Sequence, residues 1–387
     1  MSPSPPISRE LTAEQESLRK VVRDFAVNEI APHAEAWDRD HTFPVDTVLA
    51  MGELGLFGIP FPEPYGGGGD LTGLCIAIEE IAWSDQSLAI TLEAGVGLGA
   101  NPNAAFGTEA QKERWLPDLC AGRALAAFGL TEPDAGSDAG GTRTTAALDE
   151  ASDEWVIDGE KAFITNSGTP ITSLVTVTTR TGERGISTIV VPAGTPGLTV
   201  QPAYRKVGWH ASDTHGLTFV GCRVPAENLL GERDRGFAQF LSILDEGRVA
   251  IAALAVGVIR RCVDDCVSYA RDRNAFGRPI GANQGVAFRV ADLEVALEAS
   301  RELVYRAAWL RDRGQPFKRE AAVAKLFATE AAVTATRSAT QVFGASGFMD
   351  ETPVARHYRD AKVLEIGEGT SEIQRLVISR ELGLPVG

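Results

Sequence analysis

The order in which helical and β-type patterns follow one another is the feature that most constrains this chain. Apolar residues recur at three- and four-residue steps over 1–124, β-branched residues alternate with polar ones over 125–236, and helical spacing returns over 237–387. Helices followed by strands and then by helices exclude an alternating βαβ sheet. The sequence therefore predicts an α+β multidomain fold: an N-terminal all-α domain (1–124), a middle antiparallel β-barrel or sandwich (125–236) and a C-terminal four-helix bundle (237–387).

Short motifs refine this prediction. Thr12 and Gln15 have the spacing of a capping box at the start of the first helix. The apolar pattern from Leu71 to Leu92 indicates one helix. Asp158-Gly159 is a strong signal for a β-hairpin turn. The polar, proline-rich start, Met1 to Pro6, predicts a frayed tail without a secretory signal.

Charge and cysteine content exclude several classes of function. The formal net charge is −15 and the sequence pI is about 4.9, so nucleic acid is not an expected partner. The apolar runs are too short to insert into a membrane. The cysteines number five and contain no C-x-x-C pair; Cys262 and Cys266 share a helical face, and a buried structural pair is favoured over a metal site. The sequence thus predicts a reduced, cytoplasmic protein with no bound metal.

Four segments are candidates for chemistry, and each one also has a purely structural interpretation. Glycines in the Gly129–Gly141 loop allow backbone N–H groups to approach a flavin, a phosphate or a thioester carbonyl, but the loop also suits a domain crossing. Phe163, after a strand, can face a planar cofactor or fill a core. Arg273 can bind a phosphate or lie in solvent beside a turn. Gly344 and Gly347 suit a close backbone approach or an ordinary helix end.

Glu368 is the candidate acid–base residue. It stands between Gly367 and Gly369, directly before an apolar helical pattern. A carboxylate in that position is poised for chemistry, or it is a first-turn glutamate that favours the helix dipole. The residue alone leaves these alternatives open.

Taken together, these motifs resemble the acyl-CoA dehydrogenase family along essentially the whole chain. The segment from Gly129 to Asp138, GLTEPDAGSD, matches the first family signature at every defining position, and EGTSEIQ begins at Glu368. The second signature is matched by Gln341, Gly344, Gly347, Asp350, Arg356 and Asp360. One position departs from it: Ala345 stands where the family usually has Gly or Ser.

The resemblance implies bound FAD, usually in a homotetramer. Within one subunit it implies flavin contacts from Phe128, Leu130, Thr131, Gly136, Ser137, Phe163, Thr165, Thr370 and Glu372. For the flavin of a neighbouring subunit it implies Arg273, Phe276, Gln284, Gln341, Gly344 and Ala345. On the acyl-CoA side it implies Ser137, Asp245, Arg248 and Gly369.

The family places its catalytic base at one of two positions. One is the glutamate of the EGTS segment, Glu368 here; the other directly precedes Arg248 and is Gly247 here. The resemblance therefore implies that Glu368 removes the α-proton while the β-hydride passes to flavin N5. The product is a trans-2-enoyl-CoA, and electron-transfer flavoprotein reoxidises the cofactor. Alternatives are enoyl-CoA reduction in the reverse direction, a carrier-protein thioester as substrate, or a non-enzymatic flavoprotein.

The acyl chain is less well specified. Trp83, Leu88 and Ile90 are expected to wall an apolar acyl pocket. Glutaryl-type members carry an arginine near Ala89, and its absence here disfavours a dicarboxylyl substrate. Gly367 stands where an aromatic residue is common, which leaves room for branched or bulkier acyl groups.

Overall fold

Helices make up the first region of the structure, a computed structural model that describes residues 11–183 and 185–386. The α-helices are α1 (Ala13–Phe25), α2 (Ala34–Asp40), α3 (Val45–Glu53), α4 (Leu71–Ser84), α5 (Gln86–Glu93), α6 (Asn101–Phe106) and α7 (Glu109–Cys120). Two π-helical segments, Ala26–Ile30 and Ala94–Ala100, continue α1 and α5. The tail predicted at Met1 to Pro6 lies outside the described residues.

Helix starts follow the local sequence signals. The Thr12–Gln15 capping box is confirmed, with both reciprocal hydrogen bonds present. The single helix predicted from Leu71 to Leu92 is wrong, because Asp85 is extended (φ −153°) and divides it into α4 and α5. The side chain of Asp85 accepts the Leu88 N–H at 2.9 Å, so it caps the second helix.

The middle region forms one sheet. Its strands are β1 (Leu125–Gly129), β2 (Thr145–Asp149), β3 (Glu154–Thr165), β4 (Thr172–Arg180), β5 (Ile186–Pro192), β6 (Leu198–Val200), β7 (Thr214–Pro225) and β8 (Leu229–Leu230). Their order is β6-β7-β3-β2-β4-β5-β8, with β1 beside β4. Most pairs are antiparallel as predicted, but β1 runs parallel to β4 and β2 touches β4 in parallel at one residue pair. The purely antiparallel prediction is corrected there, since β1 and β4 are joined by a crossover through β2 and β3.

The inner faces of β1 to β5 and β7 meet in one apolar cluster that includes Trp155, Ile157, Val177 and Phe219. A single sheet whose strands share one core must curl around it, as the predicted barrel or sandwich requires.

The hairpin turn predicted at Asp158-Gly159 is wrong. The turn falls at 150–153, and Asp158 and Gly159 lie inside β3 at a register shift against β7. Gly159 has φ +142°, and a Cβ there would lie 2.6 Å from the Thr144 Cα. The glycine is therefore required by a bulge and a close backbone approach, which give the same dipeptide signal as a turn.

Helices return at Gly236, and the first three of them are longer than any helix of the first region. The helices are α8 (Gly236–Asp272), α9 (Gln284–Asp312), α10 (Lys318–Phe343), α11 (Pro353–Ala361) and α12 (Ser371–Glu381); a short hairpin of β9 (Asn274–Ala275) and β10 (Arg278–Pro279) separates α8 from α9. Helix α10 packs against α8, α9, α11 and α12, and α8 also packs against α4 of the first region. No helix among the described residues is long and apolar enough to cross a bilayer.

Candidate active site

Glu368 lies in a tight turn that leads into α12. Its φ is +52°, a left-handed conformation that is uncommon for a residue with a side chain. Gln374 donates through Nε2 to the carbonyls of Glu368 (3.3 Å) and Gly369 (2.9 Å), and Lys325 donates through Nζ to the Gly369 carbonyl (2.8 Å). Thr370 caps α12 by accepting the Ile373 N–H. These contacts fix the backbone of Glu368 and therefore the direction of its side chain.

The carboxylate of Glu368 points into the protein. Both of its oxygens are buried, and neither receives a hydrogen bond from an N–H or O–H of the described residues. A Cβ built on Gly247 would lie 2.0 Å from Glu368 Oε2, so the carboxylate rests directly on the backbone of α8. The two positions that the family resemblance offered for a base thus meet at one point, and the glycine makes room for the glutamate.

Burial and the neighbouring groups have opposite effects on the pKa of Glu368. Burial raises the pKa of Glu368, while the neighbouring Glu93 carboxyl and the positive charges of Lys325 and Arg248 oppose the rise. Burial also lowers the pKa of Lys325, to about 8. Arg248 is buried on α8 and paired with Asp245, one turn before it on the same helix. The site therefore holds a carboxylate of raised basicity between two cations.

Sequence reasoning missed three residues of this cluster: Glu93, Lys325 and Gln374. Each is fully buried. Lys325 and Glu93 interrupt apolar runs, and a charged residue inside such a run is the signal that could have identified them. Gln374 gives no such signal, because an amide in the first turns of a helix is ordinary.

The predicted flavin-binding residues lie along one rim of the β region. The Thr131 carbonyl accepts the Ala162 N–H at 2.9 Å, which joins the Gly129–Gly141 loop to the end of β3. Gly136 and Ser137 in that loop are exposed, and Leu130, Thr131 and Thr165 are half-buried.

Phe163 is the most distinctive residue of this rim. It has φ +61°, lies where the β3–β7 register shifts, and leaves 64% of its surface exposed beside Tyr204. An aromatic side chain held outward by a strand irregularity offers a face for a planar ring. The rim therefore fits a flavin.

The rim and the base lie side by side. Asn166, just after β3, donates through Nδ2 to the Thr91 carbonyl of α5 at 3.1 Å. Phe128 stacks on Phe240 of α8 with ring centroids 3.9 Å apart. Gly247 follows Phe240 by seven residues on the same helix, about 10 Å at 1.5 Å per residue. A cofactor on the rim would therefore lie within reach of Glu368.

The other predicted cofactor residues lie elsewhere. Phe276 is 99% exposed at the tip of the β9–β10 hairpin, and Arg273 and Gln284 flank that hairpin, also exposed. Tyr269 stacks on Phe343 at 4.1 Å, which brings the hairpin next to the exposed end of α10, where Gln341, Gly344 and Ala345 lie.

This remote group is separated from the base by most of the helical region. Gln341 follows Lys325, the residue bonded to the Glu368 turn, by sixteen residues of α10, about 24 Å. Arg273 follows Gly247 by twenty-six residues, about 39 Å along α8. Glu372, in contrast, is exposed in the first turn of α12, close to the base.

One predicted pocket residue is misplaced. Leu88 and Ile90 are buried in α5, but Trp83 turns away, donating to Asp264 at 2.7 Å and stacking under Arg261. Both partners lie near the far end of α8, so Trp83 does not wall a pocket at Glu368. The break at Asp85 explains this error, because the periodicity of one continuous helix does not cross it.

The two cysteines that were weighed as metal ligands, Cys262 and Cys266, are buried in the protein core. Cys262 and Cys266 lie inside α8 as free thiols, and burial raises the pKa of Cys266 to about 12. The described residues contain no group of three or more His, Cys, Asp and Glu side chains placed to hold a metal ion.

Family models match nearly the whole chain. Residues 12–123 match the acyl-CoA dehydrogenase N-terminal domain, 127–222 the middle domain and 234–383 the C-terminal domain.

Two relatives illustrate the similarity. A probable acyl-CoA dehydrogenase, YngJ, from Bacillus subtilis is 50% identical over 96% of this chain and 99% of its own length. The mitochondrial short-chain specific acyl-CoA dehydrogenase of Mus musculus is 43% identical over 97% of this chain and 91% of its own.

Solved structures agree with these matches. Butyryl-CoA dehydrogenase from Megasphaera elsdenii superposes with a TM-score of 0.94 at 40% identity, covering 97% of this chain and 100% of that one. A chain from a structure described as the electron transferring flavoprotein of Acidaminococcus fermentans superposes with a TM-score of 0.95 at 38% identity, covering 97% of this chain and 99% of that one. The prolyl acyl carrier protein oxidase AnaB superposes with a TM-score of 0.92 at 32% identity, covering 97% of this chain and 100% of that one.

Proposed function

Because this chain belongs to the acyl-CoA dehydrogenase family, whose members are FAD-binding oxidoreductases, we propose that Glu368 is the base that removes the α-proton of an acyl-CoA thioester. The product would be the trans-2-enoyl-CoA. When bound, FAD supplies the acceptor for the β-hydride. The protein supplies the proton acceptor, the alignment and the exclusion of water.

The observation that carries this proposal is the buried, unpartnered carboxylate of Glu368 on a fixed turn. A carboxylate without donors keeps its lone pairs for a proton, and its raised pKa brings it closer to the pH at which general bases work best. The turn contacts from Lys325 and Gln374 hold it in place before substrate arrives.

The same residue offers a second group. The backbone N–H of Glu368 donates to no acceptor among the residues that the structure describes. The α-proton of a thioester is weakly acidic, so hydrogen bonds to the carbonyl oxygen are needed as negative charge develops there. We assign the Glu368 N–H to this task, which places the base and an oxyanion donor on one rigid turn.

The flavin would be held by the β rim. Phe163 and Thr165 would contact its ring system, together with the loop residues Phe128, Leu130, Thr131, Gly136 and Ser137, and Thr370 and Glu372 lie on the side of the base. The exposed, left-handed Phe163 is the strongest support for this assignment.

A second copy of the chain would complete the cofactor site. Arg273, Phe276, Gln284, Gln341, Gly344 and Ala345 lie about 24 Å or more along α8 and α10 from the base, too far to reach a flavin on the same subunit's rim. The surface beside them is apolar: Phe288, Val295 and Phe348 are 61%, 69% and 88% exposed. Large exposed apolar side chains in one area indicate a protein interface. A homotetramer, in which subunits exchange these residues, accounts for both observations.

The acyl-CoA would approach between Ser137 on the loop and the α8 residues Asp245 and Arg248, with its thioester at Gly369. Arg248 is 5% exposed and is already paired with Asp245. Its charge therefore acts on the reacting centre through a low dielectric, while Asp245 keeps it oriented.

A short acyl chain, straight or branched, fits best. The relatives include short-chain specific enzymes and butyryl-CoA dehydrogenase. Gly367 has open space beside it, since among the described residues a Cβ there would meet only the Val363 carbonyl, at 3.6 Å. Gly367→Tyr can therefore fold, and it should reduce kcat/KM for a branched acyl-CoA more than for butyryl-CoA. An unchanged ratio would exclude Gly367 as the determinant of branching.

The proposed electron acceptor is electron-transfer flavoprotein, in keeping with the structural similarity to a chain from such a system. Enoyl-CoA reduction uses the same residues in reverse. The similarity to AnaB keeps a carrier-protein thioester as the alternative substrate. A cytoplasmic location is in keeping with five buried, unpaired cysteines.

The decisive experiment combines two readouts on the FAD-loaded protein. Anaerobic addition of butyryl-CoA should bleach the oxidised flavin band, and Glu368→Gln should abolish both bleaching and exchange of the substrate α-proton with deuterium oxide while retaining FAD. Exchange that survives in Glu368→Gln would overturn the base assignment. Bleaching by a carrier-bound thioester alone would establish the alternative substrate.

A further inference from the structure

His215 lies on β7, across from the end of β3 that carries the proposed flavin residues. The strand register pairs it with Ile164, which stands between Phe163 and Thr165. The side chain of His215 is only 12% exposed, and a Cβ built on Gly168 would lie 2.4 Å from its Nε2. The ring edge therefore rests on the backbone that follows β3, at a place to which the proposed reaction gives no role.

Both ring nitrogens of His215 face hydrogen-bond acceptors. Nδ1 lies 2.6 Å from the Gln201 carbonyl oxygen, and Nε2 lies 2.7 Å from Asp213 Oδ1. A carbonyl and a carboxylate only accept hydrogen bonds, and a neutral imidazole has a single N–H to donate. Both contacts are hydrogen bonds only when each ring nitrogen carries a proton. The geometry around His215 therefore requires the positively charged imidazolium.

Asp213 connects this charge to the segment after β3. Its Oδ2 accepts the Gly168 N–H at 2.8 Å, and its carbonyl accepts the Asn166 N–H at 3.3 Å. Asn166 has φ +60°, a left-handed conformation that needs such support from its neighbours. His215 thus holds Asp213, and Asp213 holds the chain where it leaves the rim beside Thr165.

Two other titratable groups lie close to this contact. Lys206 donates to Thr214 Oγ1 at 3.0 Å, and burial lowers its pKa to about 8, although the charge of Asp213 opposes this effect. Tyr204 lies beside Phe163 with ring centroids 5.1 Å apart. The facing end of β3, residues 162–165, carries no charged side chain. A test of His215 must therefore separate its titration from that of Lys206 and Tyr204.

We propose that His215 is a positively charged positioning residue of the flavin site, which strengthens FAD binding while both of its ring nitrogens are protonated. This inference rests on the proposed placement of the flavin at the β rim. When His215 releases a proton to solvent, one ring nitrogen presents a lone pair to an acceptor, and that hydrogen bond is lost. The end of β3 is then held less firmly, and FAD leaves faster.

The test measures the release of FAD from the diluted holoenzyme, followed by the fluorescence of free flavin, from pH 6 to 9. His215→Gln keeps one donor and does not titrate. At pH 6 it should release FAD roughly 10-fold faster than the wild type, the value of one hydrogen bond to a charged group, and at pH 9 at the same rate. Lys206 and Tyr204 are present in both proteins, so a change that comes from either one alone leaves the ratio of rates constant. A constant ratio overturns the proposal.

His210 provides a matched control on the same segment. Its Nδ1 lies 2.9 Å from Asp38 Oδ1 and its Nε2 lies 3.0 Å from the Lys206 carbonyl oxygen, so it also has two acceptors. Its carboxylate partner belongs to α2, however, and not to the rim. His210→Gln should therefore keep the wild-type pH dependence of FAD release. If His210→Gln removes that dependence as fully as His215→Gln, the role does not belong to His215.

Nuclear magnetic resonance of the holoenzyme with isotope-labelled histidine tests the charge without reference to flavin release. At pH 7 the His215 signals, identified by their change in Asp213→Asn, should be those of two protonated ring nitrogens; a neutral tautomer overturns the proposal. Asp213→Asn also replaces His215→Gln if the latter does not fold. Its amide can accept the Gly168 N–H while its NH₂ group faces Nε2, which favours a neutral ring. FAD release at pH 6 should then be faster than in the wild type, and an unchanged rate overturns the proposal.

Phe163→Ala separates the two levels of inference. Faster FAD release in Phe163→Ala with no effect of His215→Gln rejects the role of His215 alone. Unchanged release in Phe163→Ala rejects the rim as the flavin site and, with it, the role of His215.

Discussion

Two buried carboxylates of this protein, Glu132 and Glu368, have opposite surroundings. Glu132 belongs to the Gly129–Gly141 loop and accepts hydrogen bonds from Lys161 Nζ at 2.7 Å, the Arg143 N–H at 2.7 Å and the Thr144 N–H at 3.1 Å. Although burial opposes its ionisation, these partners lower its pKa. Glu368 accepts no hydrogen bond from an N–H in the part of the chain that the structure describes, and its carboxyl neighbour is another glutamate, Glu93.

This difference in hydrogen bonding indicates different roles for the two carboxylates. A satisfied buried ion pair has its interactions complete before any ligand arrives, so it serves the fold: Lys161 ties the loop to β3 and also donates to the Leu130 carbonyl. An unsatisfied buried carboxylate destabilises the fold and keeps its capacity for a proton. Asp360 is intermediate, since one of its oxygens accepts the Trp209 N–H at 2.6 Å and the other has no donor among the described residues.

The largest expected effect comes from breaking the satisfied pair. Lys161→Met leaves Glu132 buried without its cation and should lower the free energy of unfolding by about 3–5 kcal/mol, measured by urea denaturation. Arg143→Met is the matched control: it removes an exposed ion pair with Asp134 but keeps the backbone donor to Glu132, and should change stability by less than about 1 kcal/mol. Equal losses of unfolding free energy in both variants would show that the buried ion pair contributes no more to stability than the exposed one.

The second effect falls on activity rather than stability. Gly247→Ala puts a methyl group 2.0 Å from Glu368 Oε2, so the base must move. A displacement of this size should lower kcat/KM roughly 10- to 100-fold with FAD still bound. Gly285 is an exposed helical glycine, and a Cβ there would have no described atom within 4 Å, so Gly285→Ala should leave kcat/KM unchanged. Wild-type activity in Gly247→Ala would mean that the position of Glu368 is not critical.

The sequence predicted the arrangement of helices and sheet because each region has a clean periodicity. The prediction failed where the role of a single residue overrides the periodicity of its segment. Asp85 breaks an apolar helical run by capping the next helix, and Gly159 serves a bulge where the dipeptide resembles a turn. Both signals are local, and the choice between their meanings depends on tertiary neighbours such as Thr144.

The same limit applies to the site. Glu368 could be selected because it lies in a distinctive motif next to glycines. Glu93 and Lys325 lie 275 and 43 residues before it in the sequence, and nothing in their local patterns says that they meet it. Their roles follow from burial and from the contacts at Gly369 and Gly97, which only the folded chain brings together.

The smallest expected effect tests the intermediate carboxylate. Burial, with a further contribution from Asp85, raises the pKa of Asp360 to about 7, above the value of about 4 in an unfolded chain. Between these values the folded state binds more protons than the unfolded state, so the contribution of Asp360 to stability is full below about pH 4 and is lost as the pH rises through 7.

Asp360→Asn removes this dependence, since the amide stays neutral and still accepts the Trp209 N–H through its oxygen. Above pH 7 the variant should therefore be more stable than the wild type, because only the wild type then carries a buried charge that the fold does not fully stabilise. The difference should vanish near pH 4. Urea denaturation of both proteins from pH 4 to 8 measures it, because groups that do not interact with Asp360 titrate alike in the two proteins. A difference that stays constant across this range would mean that Asp360 is stabilised as fully as Glu132, and that an oxygen without a protein donor does not by itself identify a destabilising charge.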